Sequence, residues 1–278
     1  MKTALYTAFA LVAFALNSIL CRLALRGDEI DPVGFTLVRL ASGAAVLILL
    51  SYFFGGKSKQ ANDGNWISAF FLFAYAICFS LAYLNLSAGM GALILFGCVQ
   101  LTMIGWSIAK GERPPPLEWI GLLAALGGLV YLVFPSLEAP PLWSSSLMAA
   151  AGIAWGVYTL RGKGSADPLS DTTANFVRSV PMIVIVAIPF FQQIHLSSRG
   201  ILLAVLSGAI ASGVGYTAWY AALKALTATR AAVLQLAVPV IAAAGGVWFL
   251  SEAATMRLWI AAALILGGIA IVIAARKR

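Results

Sequence analysis

The sequence predicts an all-α polytopic membrane protein, with ten transmembrane helices arranged as two inverted five-helix repeats around a central cavity. Three observations lead there. Hydrophobic residues make up 62% of the 278 positions and charged residues only 10%, well short of the roughly 25% that a water-solvated domain carries. The apolar residues fall into blocks of about 20, the length that spans ~30 Å of hydrocarbon as a helix. Chemically distinctive residues also recur at nearly one spacing. Arg22 and Arg39 return as Arg161 and Arg178 after 139 positions, and Glu112, Trp119, Gly127 and Gly128 return as Glu252, Trp259, Gly267 and Gly268 after 140.

The polar and Pro/Gly-rich stretches set the elements in order. Helices are expected near 3–25, closed by "RGDEIDP", and 33–54, closed by "GGKSKQANDGN". Helices near 66–85 and 89–109 follow, the latter closed by "KGERPPP", then 117–134, closed by "PSLEAPP". The second half reads as 144–161, closed by "RGKGSADPLSD", then 172–193, 200–222, 228–250 and 256–275, with the tail "RKR". The opening segment, ending at Cys21, has the look of a leader peptide. The bulky Leu20 before that cysteine is wrong for lipoprotein cleavage, and the repeat reuses the segment, so it is read as the first span. Short connections imply antiparallel neighbours.

Lysine and arginine orient the bundle. With the N-terminus cytoplasmic, the inner segments hold Lys2, Lys57, Lys59, Lys110, Arg113, Arg161, Lys163, Lys224, Arg230, Arg276, Lys277 and Arg278, against Arg22, Arg26, Arg199 and Arg257 outside. Twelve against four places both termini in the cytoplasm of a bacterial inner membrane. The net charge of +8 therefore reflects membrane sidedness and gives no reason to invoke nucleic acid. Three cysteines and one histidine, His195, supply neither a disulfide framework nor a metal cluster, and no cofactor is expected. Oligomeric state is not encoded in any pattern found, and a monomer satisfies the reading.

The repeats divide the chain at 1–138 and 139–278. Five spans per repeat is an odd number, so the second copy must run upside down relative to the first. Inverted repeats place a binding site near the bilayer midplane and let two halves exchange access between the faces. Pro239, near the middle of the ninth span, removes a backbone N–H and leaves the carbonyl one turn earlier without its helical partner. In lipid such a carbonyl must be buried in protein or face a cavity. Pro239 is thus either a cavity-lining hinge or a packing kink.

The stretch "ALKALTATRAA" leading into "LAVPV", then "GGVWFLSE" and "ILGGI", resembles the EamA-type repeat of the drug/metabolite transporter superfamily. The likeness covers nearly the whole chain as two copies, and the ten-span plan most resembles the bacterial aromatic amino-acid exporters. Val99 and Gln100 stand in the first repeat where the second has Pro239. The resemblance implies a membrane transporter, not an enzyme, that exports small amphipathic metabolites, above all amino acids including aromatic ones, by alternating access.

Few polar or aromatic side chains lie at midplane depth. Asn17, Tyr75, Phe79, Gln100, Trp155, Tyr158 and Gln235, with Tyr216 and Trp219 farther along the eighth span and Pro239 in the ninth, form the candidate substrate-binding set. Amides are costly in hydrocarbon, so Asn17, Gln100 and Gln235 should face the bundle interior, as ligand contacts or as interhelical bonds. All ten acids fall in loops or at span ends, which favours neutral or zwitterionic substrates. Candidate gates are Arg22, Arg39 and Glu252 at the outer end and Arg161, Arg178 and Glu112 at the inner end; snorkelling toward headgroups is the alternative. Gly152 with Gly156, and Gly208 with Ser212, are small-residue faces for close helix approach. Drug or nucleotide-sugar transport and lipid scrambling are the competing functions. Paired acids, a histidine motif or a metal set would mark an enzyme, and none is found.

Overall fold

The computed structural model describes residues 2–54, 64–111, 115–133, 140–253 and 255–275. Helix starts follow local capping chemistry. Asp31 accepts from the Val33 and Gly34 amides at 3.0 and 2.8 Å, and Asn65, Ser87, Asp167 and Ser197 each accept from the amide three residues on. Side-chain oxygens thereby satisfy amides that have no intrahelical partner.

The helices are α1 (Lys2–Arg26), α2 (Pro32–Phe54), α3 (Trp66–Ala82), α4 (Ala88–Ala109), α5 (Pro116–Val133), α6 (Leu142–Gly162) and α7 (Pro168–Ala187). A 3₁₀ extension over Ile188–Gln193 continues α7. The eighth span is α8 (Ser198–Val205), a π-wound segment at Leu206–Val214 and α9 (Gly215–Leu223). The ninth is α10 (Ala228–Gln235) and α11 (Ala237–Leu250), and the tenth is α12 (Met256–Ala275). All ten expected segments are present. The seventh begins four residues earlier than expected, because Asp167 caps it and Pro168 occupies its first turn, where a missing N–H costs nothing. The ninth is broken at Leu236, within one turn of Pro239.

Among the described residues, five helical segments are long and apolar enough to cross a membrane. Large apolar side chains face outward, with Trp248 85% and Leu142 83% exposed, a surface that water would not tolerate and lipid does. Helix pairing crosses between the halves: α5 lies along α12, α2 along α7, α3 and α4 against α6, and α1 against α9 and α11. Close approach is made by small residues. A β-carbon on Gly152 would strike the Leu95 carbonyl oxygen, and one on Gly208 would strike that of Arg39.

Contacts define two ends of the bundle. At one, which we call the Glu252 end, the C-terminal tips of α1, α3 and α11 meet through Arg22, Tyr83, Leu84 and Glu252. The loops before α2 and α8 are joined there by a bridge between Ile30 and Leu196, with Asp31 N–H donating to the His195 carbonyl at 3.1 Å and Ser197 N–H to that of Glu29 at 2.8 Å. At the other, the Asn65 end, the C-terminal tip of α6 meets the N-terminal tip of α3 through Arg161, Asn65 and Ser68.

Candidate functional site

The centre of the bundle is an aromatic cluster assembled from both halves. Phe14 on α1 lies within 5.3–5.7 Å, centroid to centroid, of Trp155 on α6 and Tyr216 and Trp219 on α9, all edge-on. Trp155 in turn meets Tyr75 at 5.1 Å, Tyr216 at 4.5 Å and Tyr158 at 5.7 Å, and Tyr75 meets Phe79 at 5.4 Å. Edge-on and offset pairs bring the positive rim of one ring to the negative face of another. The expected cavity-lining set therefore packs ring against ring in this conformation.

Hydrogen bonds tie the polar members in. Asn17 Nδ2 donates to the Tyr75 hydroxyl at 3.0 Å, and its Oδ1 accepts from Ser207. Trp155 Nε1 donates to Gln235 Oε1 at 2.9 Å, so α6 is bonded to α10 beside the break. Gln100 is 1% exposed and lacks a hydrogen-bond partner among the described residues at both its amide oxygen and nitrogen, as does Trp219 Nε1. Pro239 sits elsewhere. It lines an apolar groove of about 260 Å³ on the lipid side, with Leu93, Trp248 and Trp259 among the walls. Its missing N–H nevertheless frees the Gln235 carbonyl, on the residue that holds Trp155.

Arg39 differs most from its expected place. It was grouped with Arg22 and Glu252, but it is 1% exposed and about 10 Å along α2 from Pro32 at 1.5 Å per residue. Its Nη2 donates to the hydroxyls of Tyr75 at 3.0 Å and Tyr216 at 2.9 Å, and its Nε to Ser212 Oγ at 3.1 Å. The guanidinium carbon lies 5.0 Å from the ring centres of both Tyr75 and Phe79, a cation–π arrangement worth about 2 kcal/mol or more when desolvated.

The π-wound segment makes this possible and was missed from the sequence. Ser207 reaches Asn17 and Ser212 reaches Arg39. Residues five apart point about 140° apart on an α-helix; the wider π turn, with its i→i+5 bonding, narrows that divergence. No residue type signals the winding. Phe14 was also missed, although its position three residues before Asn17 puts both on one face of α1.

The ends hold the remaining candidates. At the Glu252 end, Arg22 Nε is 3.5 Å from Glu252 Oε1, and Nη1 donates to the carbonyls of Tyr83 and Leu84 at 2.8 and 2.9 Å. The Glu252 carboxylate accepts from the Ala88 amide at 3.0 and 3.2 Å, at the start of α4, where the helix dipole favours negative charge. Arg26 donates to the Leu250 carbonyl. A polar recess of about 350 Å³ opens beside them, lined also by Arg257.

At the Asn65 end, Arg161 donates to Ser68 Oγ at 3.0 Å and Asn65 Oδ1 at 3.1 Å, both neutral acceptors. Asn65 N–H donates to Asn175 Oδ1 at 3.1 Å, and Gly64 N–H to Asp171 Oδ1 at 3.2 Å. Arg178 is half-buried with its guanidinium beside Gly64. Glu112, the acid expected here, lies outside the described residues. The recess at this end measures about 260 Å³.

Comparison with known proteins fits this architecture. A protein of Pseudomonas aeruginosa is 46% identical over 275 residues, covering 99% of this chain and 96% of its own. The uncharacterized transporter YwfM of Bacillus subtilis is 26% identical over 295 residues, covering 100% and 97%. An uncharacterized transporter of Archaeoglobus fulgidus is 27% identical over 90% of each chain. A crystal structure superposes with a TM-score of 0.73 at 22% identity, over 96% of this chain and 98% of its own, a likeness of fold. The model of the EamA-like transporter family matches twice, over residues 1–134 and 142–274. With those two matches taking in almost every residue of a ten-segment helical bundle, the chain belongs to the EamA-like transporter family of the drug/metabolite transporter superfamily and is a multi-pass membrane transporter.

Proposed function

We propose that the protein exports small amphipathic metabolites, amino acids and aromatic ones among them, across the bacterial inner membrane by alternating access, with both termini cytoplasmic and the halves 1–138 and 139–278 inverted. The observation that carries the reading is the central cluster. Phe14 and Tyr75 from the first half pack against Trp155 and Tyr216 from the second, and Asn17 accepts from Ser207, so any motion between halves opens or closes that point. Its mix of rings and amides suits solutes that are apolar with a few polar groups.

The exchanged helix pairing supports a two-fold relation between the halves, which five spans per half make an inverted one. Swapping each span for its counterpart five later turns the contact of α3 with α6 into that of the eighth span with α1, and the contact of α4 with α6 into that of α11 with α1; both kinds occur. Ionic and polar contacts at opposite ends supply gates. Arg22 with Glu252 acts on one side and Arg161 and Arg178 on the other, with Glu112 a further inner-gate residue.

The test is exchange of radiolabelled phenylalanine in proteoliposomes beside a fluorescent-lipid flip assay. Amino-acid exchange without lipid flip is expected. Lipid flip without exchange of any amino acid would replace the reading with scrambling. Cysteine labelling from each side of the cell checks inversion, since counterpart loops of the two halves should label from opposite faces.

A further inference from the structure

Arg39 is a permanent positive charge inside the bundle, and the described residues do not neutralise it. The guanidinium does not shed its proton in proteins. Its partners are the hydroxyls of Tyr75, Tyr216 and Ser212 and the rings of Tyr75 and Phe79, which are dipoles and quadrupoles, not charges. The ion pairs of Arg22 with Glu252 and of Arg199 with Glu29 do not involve Arg39. One of its donor atoms, Nη1, is buried with no acceptor. An ionisable side chain at membrane depth is costly and is kept where it has a partner. Here three hydroxyl-bearing residues orient the fork through Nε and Nη2 and leave both N–H groups of Nη1 without an acceptor.

We propose that Arg39 binds the carboxylate of the transported solute, which makes the substrate class small monocarboxylates with an aromatic or bulky apolar body. This rests on the transport reading above and names the chemistry of its site. A guanidinium N–H forms a strong charge-assisted bond to a carboxylate oxygen, and Nη1 is the nitrogen still available to make it. A single cation matches a single negative charge. The rings of Tyr75, Phe79, Trp155 and Tyr216 stand where the apolar body would lie. In this conformation they close over Arg39, so the carboxylate reaches it when an end opens. Among the described residues the centre offers an ammonium group neutral acceptors, such as the side-chain oxygens of Asn17 and Gln235. The carboxylate is therefore the required group and the ammonium an optional one.

The experiment compares phenylalanine, 3-phenylpropionate and phenylalaninamide on the full chain, as counterflow in proteoliposomes above the rate through protein-free vesicles, and as thermal stabilisation in detergent. The two acids are expected to move and to stabilise the protein, and the amide to do neither. Arg39→Gln should lower carboxylate counterflow at least tenfold, and Arg39→Lys should restore part of it. An amide carried as well as the acids would overturn the proposal, as would a folded Arg39→Gln protein transporting acids at the unmodified rate. If Arg39→Gln does not fold, the acid-against-amide contrast in the unmodified protein decides alone. If no solute moves, the transport reading fails, and stabilisation decides the Arg39 assignment separately: a carboxylate-specific shift upholds it and its absence removes it.

Discussion

At the Glu252 end a carboxylate faces Arg22 at 3.5 Å, whereas at the Asn65 end Arg161 reaches, among the described residues, an amide oxygen and a hydroxyl. The two closures occupy comparable places in the proposed repeats yet use different forces. The charged one reaches across three segments, because Arg22 also grips the α3–α4 turn and Glu252 also holds the first amide of α4. The other works through short hydrogen bonds around the cap of α3, from Arg161 to uncharged acceptors and from backbone amides to Asn175 and the Asp171 carboxylate on α7. Attraction between two opposite charges extends over several ångströms and weakens with salt, while hydrogen bonds with at most one charged member depend more on geometry and fail within an ångström. The first closure should therefore be the stronger and the more sensitive to ions.

The contrast can be broken by mutation. Glu252→Ala removes the ion pair and the cap of α4 together; charge-assisted bonds contribute about 1.5–3 kcal/mol each. With Cys78→Ser and Cys98→Ser in the background, modification of the fully buried Cys21 by a water-soluble maleimide should rise at least about tenfold, since 1.4 kcal/mol is one decade. An unchanged rate would mean that this end is held shut by packing alone. Asn65→Ala should act less strongly. Loss of an N-cap costs roughly 1 kcal/mol, about a fivefold rise at a cysteine placed at the buried Ala69, with Cys21 unaffected. Salt should give the smallest effect. Raising sodium chloride from about 0.05 to 0.5 M, which shortens the screening length severalfold, should speed Cys21 labelling about threefold and leave the Ala69→Cys site nearly constant. An equal response at both sites would erase the distinction.

The helix plan was readable because each span is bounded by proline, glycine or charge, signals that act through a few neighbouring residues. What sequence could not supply was direction. Arg39 lies two turns inside its helix, and depth alone allowed it to snorkel outward or join Glu252. Its inward rotation is set by contact with Gly208 and by the hydroxyls of Tyr75 and Tyr216, more than 30 positions away in the chain. Pro239 shows the converse. Its backbone effect was legible and a break does follow at Leu236, but its side chain lines the lipid-facing groove. The Gly152 and Gly208 contacts were legible as a pattern, yet only the fold says that each glycine receives a carbonyl oxygen.

The π-wound stretch at Leu206–Val214 has a mechanical corollary for the eighth span. Wide turns carry a surplus residue for their rise, so shortening this stretch by one position would return the span to ordinary winding with hardly any change in length. Residues beyond the stretch would then keep nearly the facing they have now, because the wide turn is what absorbs the surplus position. Re-winding it as ordinary helix at its present length would instead swing everything downstream round like a clock hand, by about 100° for each surplus residue, carrying Tyr216 and Trp219 off the face that meets Phe14 and Arg39. The aromatic face of this span is thus set by a phase offset held in the winding, and losing the wide turns without losing a residue would misalign it as surely as replacing the rings themselves.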